Sequence, residues 1–203
     1  MEIKVSKINN IQNVIYLAKK DSDLTELKLS DKELAFAKEQ VANEQKNILI
    51  NKYPGIVNIV IASEEDPSKE MEALRKAAFD SCGKINTLKI KDVFILDEKN
   101  DSSRILSFAE GLALSNYQFL KYFSDKEKKQ NILKQINLDK EVVKEEDVRN
   151  LEIIVDSVYI ARDFVNEPLS YLTAMQFATD MTEKGKNAGL NVEVFNKNIK
   201  NVW

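Results

Sequence analysis

The sequence predicts a three-layer α/β fold, a mixed sheet with helices on both faces, and three observations carry that reading. Short runs rich in β-branched residues alternate with segments whose apolar residues recur every three or four positions. That order is expected of helices covering a largely parallel sheet. One pair of runs, residues 47 to 53 and 56 to 62, flanks Pro54-Gly55, a turn pair that predicts a hairpin and so one antiparallel neighbour. Capping signals mark where several of the helical segments begin.

The elements follow in order. Ile3 to Ile8 and Val14 to Ala18 read as strands. In LSDKELAFAKEQVA, Ser30 and Glu33 stand at capping-box spacing and Leu29 and Leu34 at that of a hydrophobic staple, so a helix starts there. After the hairpin, PSKEMEALRKAAFDSCG puts Met71, Leu74, Ala78 and Cys82 in helical rhythm, with Gly83 where a helix would stop. LKIKDVFILD is another strand. Residues 101 to 123 predict a long helix with Ile105, Ala109, Leu112 and Asn116 on one track. Gly111 inside it costs about 1 kcal/mol relative to alanine, and close approach of another backbone accounts for it. Tyr117, Phe119 and Tyr122 are then packing residues, since no basic groove accompanies them as a base-stacking platform would need. ILKQINL closes a first domain over residues 1 to 145.

Residues 146 to 167 predict a helix of another kind. Its polar positions Arg149, Glu152, Asp156 and Asp163 form one narrow stripe, and apolar residues take most of the circumference. Such a helix is expected to be covered on more than one side, as a linker wedged between two domains would be. Pro168 disfavours helical geometry at Glu167 and ends it. Arg162, Asp163, Asn166, Glu167 and Pro168 therefore read as a rigid interdomain joint held by polar contacts, because no nucleophile, base or ligand set surrounds them. Thr173 and Gln176 repeat the capping-box spacing, with Leu172 and Phe177 as a second staple, so a helix runs from Ala174 to Lys186 with Gly189 as its cap. LNVEVF alternates as a half-buried strand. One helix and one strand cannot bury a core, so residues 168 to 203 read as the start of a second domain.

Composition narrows the function. With 43% apolar and 31% charged residues the chain is of ordinary globular type. A net charge of -3 with mixed signs lacks the basic surplus of a nucleic-acid binder, and Lys126, Lys128 and Lys129, broken by Glu127, read as a solvated loop. Cys82, the only cysteine, reads as a buried thiol in a reducing compartment. Neither a signal peptide nor a bilayer-spanning run is present, so no membrane is expected and the cytoplasm is the expected location. There is no histidine, which removes Ser-His-Asp, Cys-His and histidine-zinc chemistry. The five glycines never form G-x-G, so the usual phosphate cradles are missing. Glu64-Glu65-Asp66 and Glu145-Glu146-Asp147 adjoin helix starts and complement the macrodipole rather than bind metal. Neither a catalytic nor a metal-ligating residue is assigned.

ARDFVNEPLSYLTAMQFA, residues 161 to 178, resembles the ARDLVNEPxNxLTP region of the leucyl aminopeptidases, the cytosol aminopeptidase family of metallopeptidases. AEGLALSNYQFLKY upstream is similar to a helix of those enzymes, and VEVFNKNIK to the strand and helix start that follow. The resemblance implies a macro-domain-like N-terminal domain, a linking helix and a catalytic domain that forms homo-hexamers. It implies two divalent metal ions, zinc or manganese, held by lysine, aspartate and glutamate in segments similar to KGITFDSGG and NTDAEGR. Neither segment occurs here, Leu169-Ser170-Tyr171 and Ala174 depart from the family pattern, and Asn201-Val202-Trp203 does not resemble its continuation. The chain is therefore expected to hold no cofactor, to be inactive alone and to be a monomer or weak dimer, whereas the whole enzyme would act on peptide substrates. The alternative is a stand-alone macro-like module binding ADP-ribose or another nucleotide, against which the absent G-x-G loops weigh.

Overall fold

The computed structural model describes residues 1–8, 12–62, 64 and 66–195. Six strands, β1 (Glu2–Ser6), β2 (Asn13–Ala18), β3 (Asn47–Lys52), β4 (Gly55–Ile61), β5 (Asp92–Asp97) and β6 (Gln135–Asp139), form one sheet in the order β1-β6-β5-β2-β4-β3. Every neighbouring pair is parallel except β3–β4, the predicted hairpin. The helices are α1 (Asp31–Ala42), α2 (Pro67–Thr87), α3 (Ser102–Ser115), the short α4 (Lys126–Lys129), α5 (Glu145–Asn166) and α6 (Ala174–Asn187).

Alternation along the strands builds two apolar faces. Tyr16, Ala18, Ile48, Ile50, Val57 and Ile59 cluster with Ala37 of α1 on one of them. Ile15, Val60, Ile95, Ile136 and Leu138 lie on the other, where α2 and α3 supply Leu74, Ile85, Phe108 and Leu112, all buried. The mixed three-layer architecture is as the sequence predicts. The Ser30 capping box is complete: Ser30 Oγ accepts from Glu33 N, and the Glu33 carboxylate accepts from Ser30 N at 2.8 Å.

The chain divides into two compact units, residues 1–158 and 159–203, with the division inside α5.

Several expectations need correction. α2 does not stop at Gly83 but runs to Thr87, because Ile85 in its last turn is fully buried and rewards another turn. The helix expected over residues 101 to 123 ends at Ser115. Asn116 ends it: its Nδ2 donates to the Leu133 carbonyl at 3.1 Å, its Oδ1 accepts from Asn86 Nδ2 at 3.1 Å, and its own carbonyl accepts from Asn131 Nδ2. These side-chain bonds outcompete further helix. Tyr117 and Phe119 are half-buried, and Tyr122, although 54% exposed, packs its ring against that of Phe119 with centroids 5.8 Å apart. Leu190–Phe195 forms no strand, since no other strand lies alongside it among the described residues. In the first unit α5 is covered along one stripe, Val148, Leu151 and Val155, while Ile153 and Ile154 are exposed, so its apolar circumference is not enclosed on several sides.

Candidate functional site

In open α/β sheets ligands bind beyond the carboxyl ends of the parallel strands. In the first unit that crest is occupied by the protein's own charges. Asp97 closes β5, and its Oδ1 accepts from Arg104 Nε at 2.6 Å. Its Oδ2 accepts from the Lys99 and Asp101 amides at 3.1 Å each. Arg104 Nη1 donates to Glu70 of α2 and to the Ala62 carbonyl behind β4, and Lys99 Nζ lies 3.7 Å from Glu70. Arg104 is wholly buried, with Asp97 and Glu70 nearly so. Two cations face two carboxylates, so the cluster is neutral and braces α2, α3 and β5 together.

The surroundings repel anions. Asp66 and Asp101 cap α2 and α3, each accepting from the amide two residues on at 2.8 Å, and so occupy the helix N-termini where a phosphate would sit. Burial pushes the Tyr16 phenol up to about 12, and the carboxylates of Glu26, Glu98, Asp97 and Asp23 push in the same direction. A nucleoside diphosphate would meet this acidic crest with no glycine-rich cradle, which disfavours the ADP-ribose reading.

The α2–α3 contact rests on Gly111. A Cβ there would lie 2.4 Å from the Arg75 carbonyl oxygen and 2.6 Å from its Cα. Arg75 Nε donates to Glu110 Oε2 at 2.7 Å beside this crossing. At the opposite end of α2, Asn86 Oδ1 accepts from the Ile132 and Leu133 amides at 2.7 and 3.1 Å and holds the approach to β6.

In the second unit the residues assigned to a joint close α5 and redirect the chain. The Arg162 carbonyl accepts from Asn166 Nδ2 at 2.8 Å, and the Asp163 carbonyl from Glu167 N at 3.0 Å. The Pro168 carbonyl accepts from the Tyr171 and Leu172 amides at 2.9 Å. Thr173 caps α6 through Gln176 N, and Phe164 meets Phe177 edge-on with centroids 5.2 Å apart. No described residue from 159 to 195 is buried, and Val165, Leu169, Met175 and Phe195 are 85%, 83%, 69% and 73% exposed. So many uncovered apolar groups in one small unit are unusual for a finished surface.

No group of three or more acidic, cysteine or histidine side chains is placed to hold a metal among the described residues. Burial pushes the Cys82 thiol up to about 11, so it is not a nucleophile near neutral pH. No described helix is long and apolar enough to cross a membrane. Sequence reasoning missed the Asp97–Arg104–Glu70 brace. Its one readable signal was a charged residue, Arg104, four positions before Phe108 on an otherwise apolar helical face. Glu65 of the first acidic run, residues 196 to 200 of the VEVFNKNIK match and the terminal Asn201-Val202-Trp203 lie outside the described residues.

Residues 64–126 match the family model of the cytosol aminopeptidase family, N-terminal domain. A probable cytosol aminopeptidase of Clostridium perfringens is 29% identical over 152 residues, covering 70% of this chain and 30% of that protein. One from a Sulfurihydrogenibium species is 29% identical over 145 residues, covering 68% of this chain and 29% of that protein. The chain thus spans about three tenths of the length of these curated relatives. Among solved structures, a mutant of tomato leucine aminopeptidase aligns with a TM-score of 0.66 at 13% identity, over 92% of this chain and 42% of that one. The bottromycin maturation enzyme BotP aligns at 0.65 and 17% identity, over 89% and 38%. At such identities the two structures speak for the fold alone.

Proposed function

We propose that the chain carries the N-terminal domain of the cytosol aminopeptidase family and is the non-catalytic amino-terminal portion of a metallo-aminopeptidase that removes N-terminal residues from peptides. The observation that carries the reading is the match over residues 64–126, which takes in α2, β5, α3 and the turn that follows. In this reading residues 1–145 form the macro-like domain, residues 146–167 link it to the catalytic domain, and residues 168–203 begin the latter. Arg162, Asp163, Asn166, Glu167 and Pro168 serve as the joint. The uncovered apolar groups of the second unit support it, since a larger body has to cover them.

The chemistry of such an enzyme is hydrolysis by a metal-activated water, with zinc or manganese lowering the pKa of that water. The donor groups for such ions do not converge among the described residues, so no step is assigned to this chain. Homo-hexamer assembly and a cytoplasmic location belong to the same proposal. The purified 203-residue chain is expected to release no leucine from leucine p-nitroanilide with added zinc or manganese. Metal-dependent release would overturn the proposal, and calorimetric binding of ADP-ribose would replace it with the nucleotide module.

A further inference from the structure

Among the described residues no strand pairs with the outer edge of β3, which leaves much of it as a backbone template. Ile61 N donates to the Lys46 carbonyl at 2.8 Å, and Ile56 N donates to the Gln12 carbonyl, on the β2 side, at 3.1 Å. Odd-numbered residues of β4 therefore bond toward β3 and even-numbered ones toward β2. With Ile48 opposite Ile59 and Ile50 opposite Val57, the even residues of β3 fill its ladder, and the amides and carbonyls of Asn47, Leu49 and Asn51 point outward. Lys84 Nζ, 2.8 Å from the Asn47 carbonyl, marks that direction. No hydrogen bond engages the outward groups of Leu49 or Asn51 among the described residues. No proline or bulge interrupts the strand.

The side chains beside this edge define what fits. Lys46, Ile48, Ile50 and Lys52 share the face toward α1, where Leu34 and Val41 join the apolar cluster. An antiparallel strand centred opposite Leu49 places its own residues opposite these four on the same face. Acidic groups there complement Lys46 and also Lys52, whose Nζ donates to the Leu27 and Lys28 carbonyls at 2.8 and 2.7 Å and keeps one donor outward, and apolar ones continue the isoleucine surface. A second copy of β3 would instead set Lys46 against Lys52 twice, a like-charge pairing that destabilises the ladder. The Lys46 end also borders a cavity of about 370 Å³ lined by Lys20, Val41, Glu44, Gln45, Lys46 and Ile61, which gives an acidic side chain room beside two ammonium groups.

We propose that the β3 edge binds an extended peptide of the pattern acid-x-apolar-x-apolar-x-acid as a seventh, antiparallel strand. Backbone bonds to Leu49 and Asn51 hold it, and the lysines set its charge preference.

Fluorescein-labelled Glu-Ser-Val-Thr-Val-Ser-Glu, titrated into the full 203-residue chain and followed by anisotropy, tests this. The central threonine amide faces β3, whereas the valine amides face away. N-methylation at the threonine is expected to weaken binding more than about tenfold, and N-methylation at a valine to leave it nearly unchanged. Asn51→Pro deletes one outward donor while sparing the β3–β4 ladder, so it is expected to weaken binding with the circular dichroism spectrum unaltered. Lys46→Glu is expected to shift preference toward the peptide with lysine in place of glutamate. Equal effects of the two N-methyl peptides, or no anisotropy change up to about 1 mM, would overturn the proposal. So would concentration-dependent dimerisation abolished by Asn51→Pro, which would make a second copy the occupant. These readouts are independent of peptidase activity and of whether the family reading holds.

Discussion

Arg104 Nε lies 2.6 Å from Asp97 Oδ1, with neither side chain exposed to solvent, and this pair ties the first turn of α3 to the end of β5. Replacing Arg104 by methionine would leave Asp97 as a buried carboxylate without its cation and Glu70 with only Lys99, 3.7 Å away. Loss of one partner from such a group costs about 3–5 kcal/mol, read as a lower urea midpoint. Arg104→Lys is expected to recover only part of this, because one ammonium cannot serve both carboxylates with the fixed fork of a guanidinium.

Gly111→Ala sets a helix-propensity gain against a collision. The added methyl would sit 2.4 Å from the Arg75 carbonyl oxygen, which belongs to the backbone of α2 and cannot swing aside. Overpacking wins: a net loss of about 1–3 kcal/mol is expected, together with faster amide exchange in α2 around Arg75.

Asn86→Ala removes the acceptor of two backbone amides and the donor to Asn116. Leaving the buried Leu133 amide unpaired costs about 1–3 kcal/mol, and the half-buried Ile132 amide costs less. The more specific readout is local: the amides of Ile132 and Leu133 should lose hydrogen-exchange protection well before those of β5.

Alkaline pH should unfold the protein through two groups with raised pKa values. Burial moves Cys82 from an ordinary 9.0 to about 11, and burial first, then neighbouring carboxylates, move Tyr16 from 10.0 to about 12. Each folded pKa lies above the unfolded one, so the folded state holds its proton longer and the associated stability is intact below the unfolded value. Stability should fall as pH rises from about 9 to about 11 through Cys82 and onward to about 12 through Tyr16. Cys82→Ala should remove the earlier part of the decline, measured as denaturant midpoint against pH. Retention of that part in the variant would show that the thiol is not its source.

Local chemistry made much of the fold legible. Ser30 and Thr173 cap the helices their spacing announced, and Pro54-Gly55 turns the hairpin it marked. These signals act within a few residues, where a side chain and the amide it satisfies are close in sequence. The end of α3 was not legible, because the groups that stop it, Asn86, Asn131 and the Leu133 carbonyl, arrive from elsewhere in the chain. The candidate site divides in the same way. The end of α5 at Asn166 was readable from Pro168, while the Arg104 brace needs α2, α3 and β5 to meet.

The sequence by itself determined the kinds of elements, their order, the mixed character of the sheet and the absence of histidine chemistry, since each follows from periodicity, capping or composition. Only the tertiary structure decided that β1 lies beside β6, that a guanidinium sits at the crest between two carboxylates, and that the outward groups of Leu49 and Asn51 in β3 meet no partner among the described residues. The physical reason is range: caps and turns are set by neighbours a few residues away, whereas strand partners, buried ion pairs and free edges depend on which distant segments come to share one core.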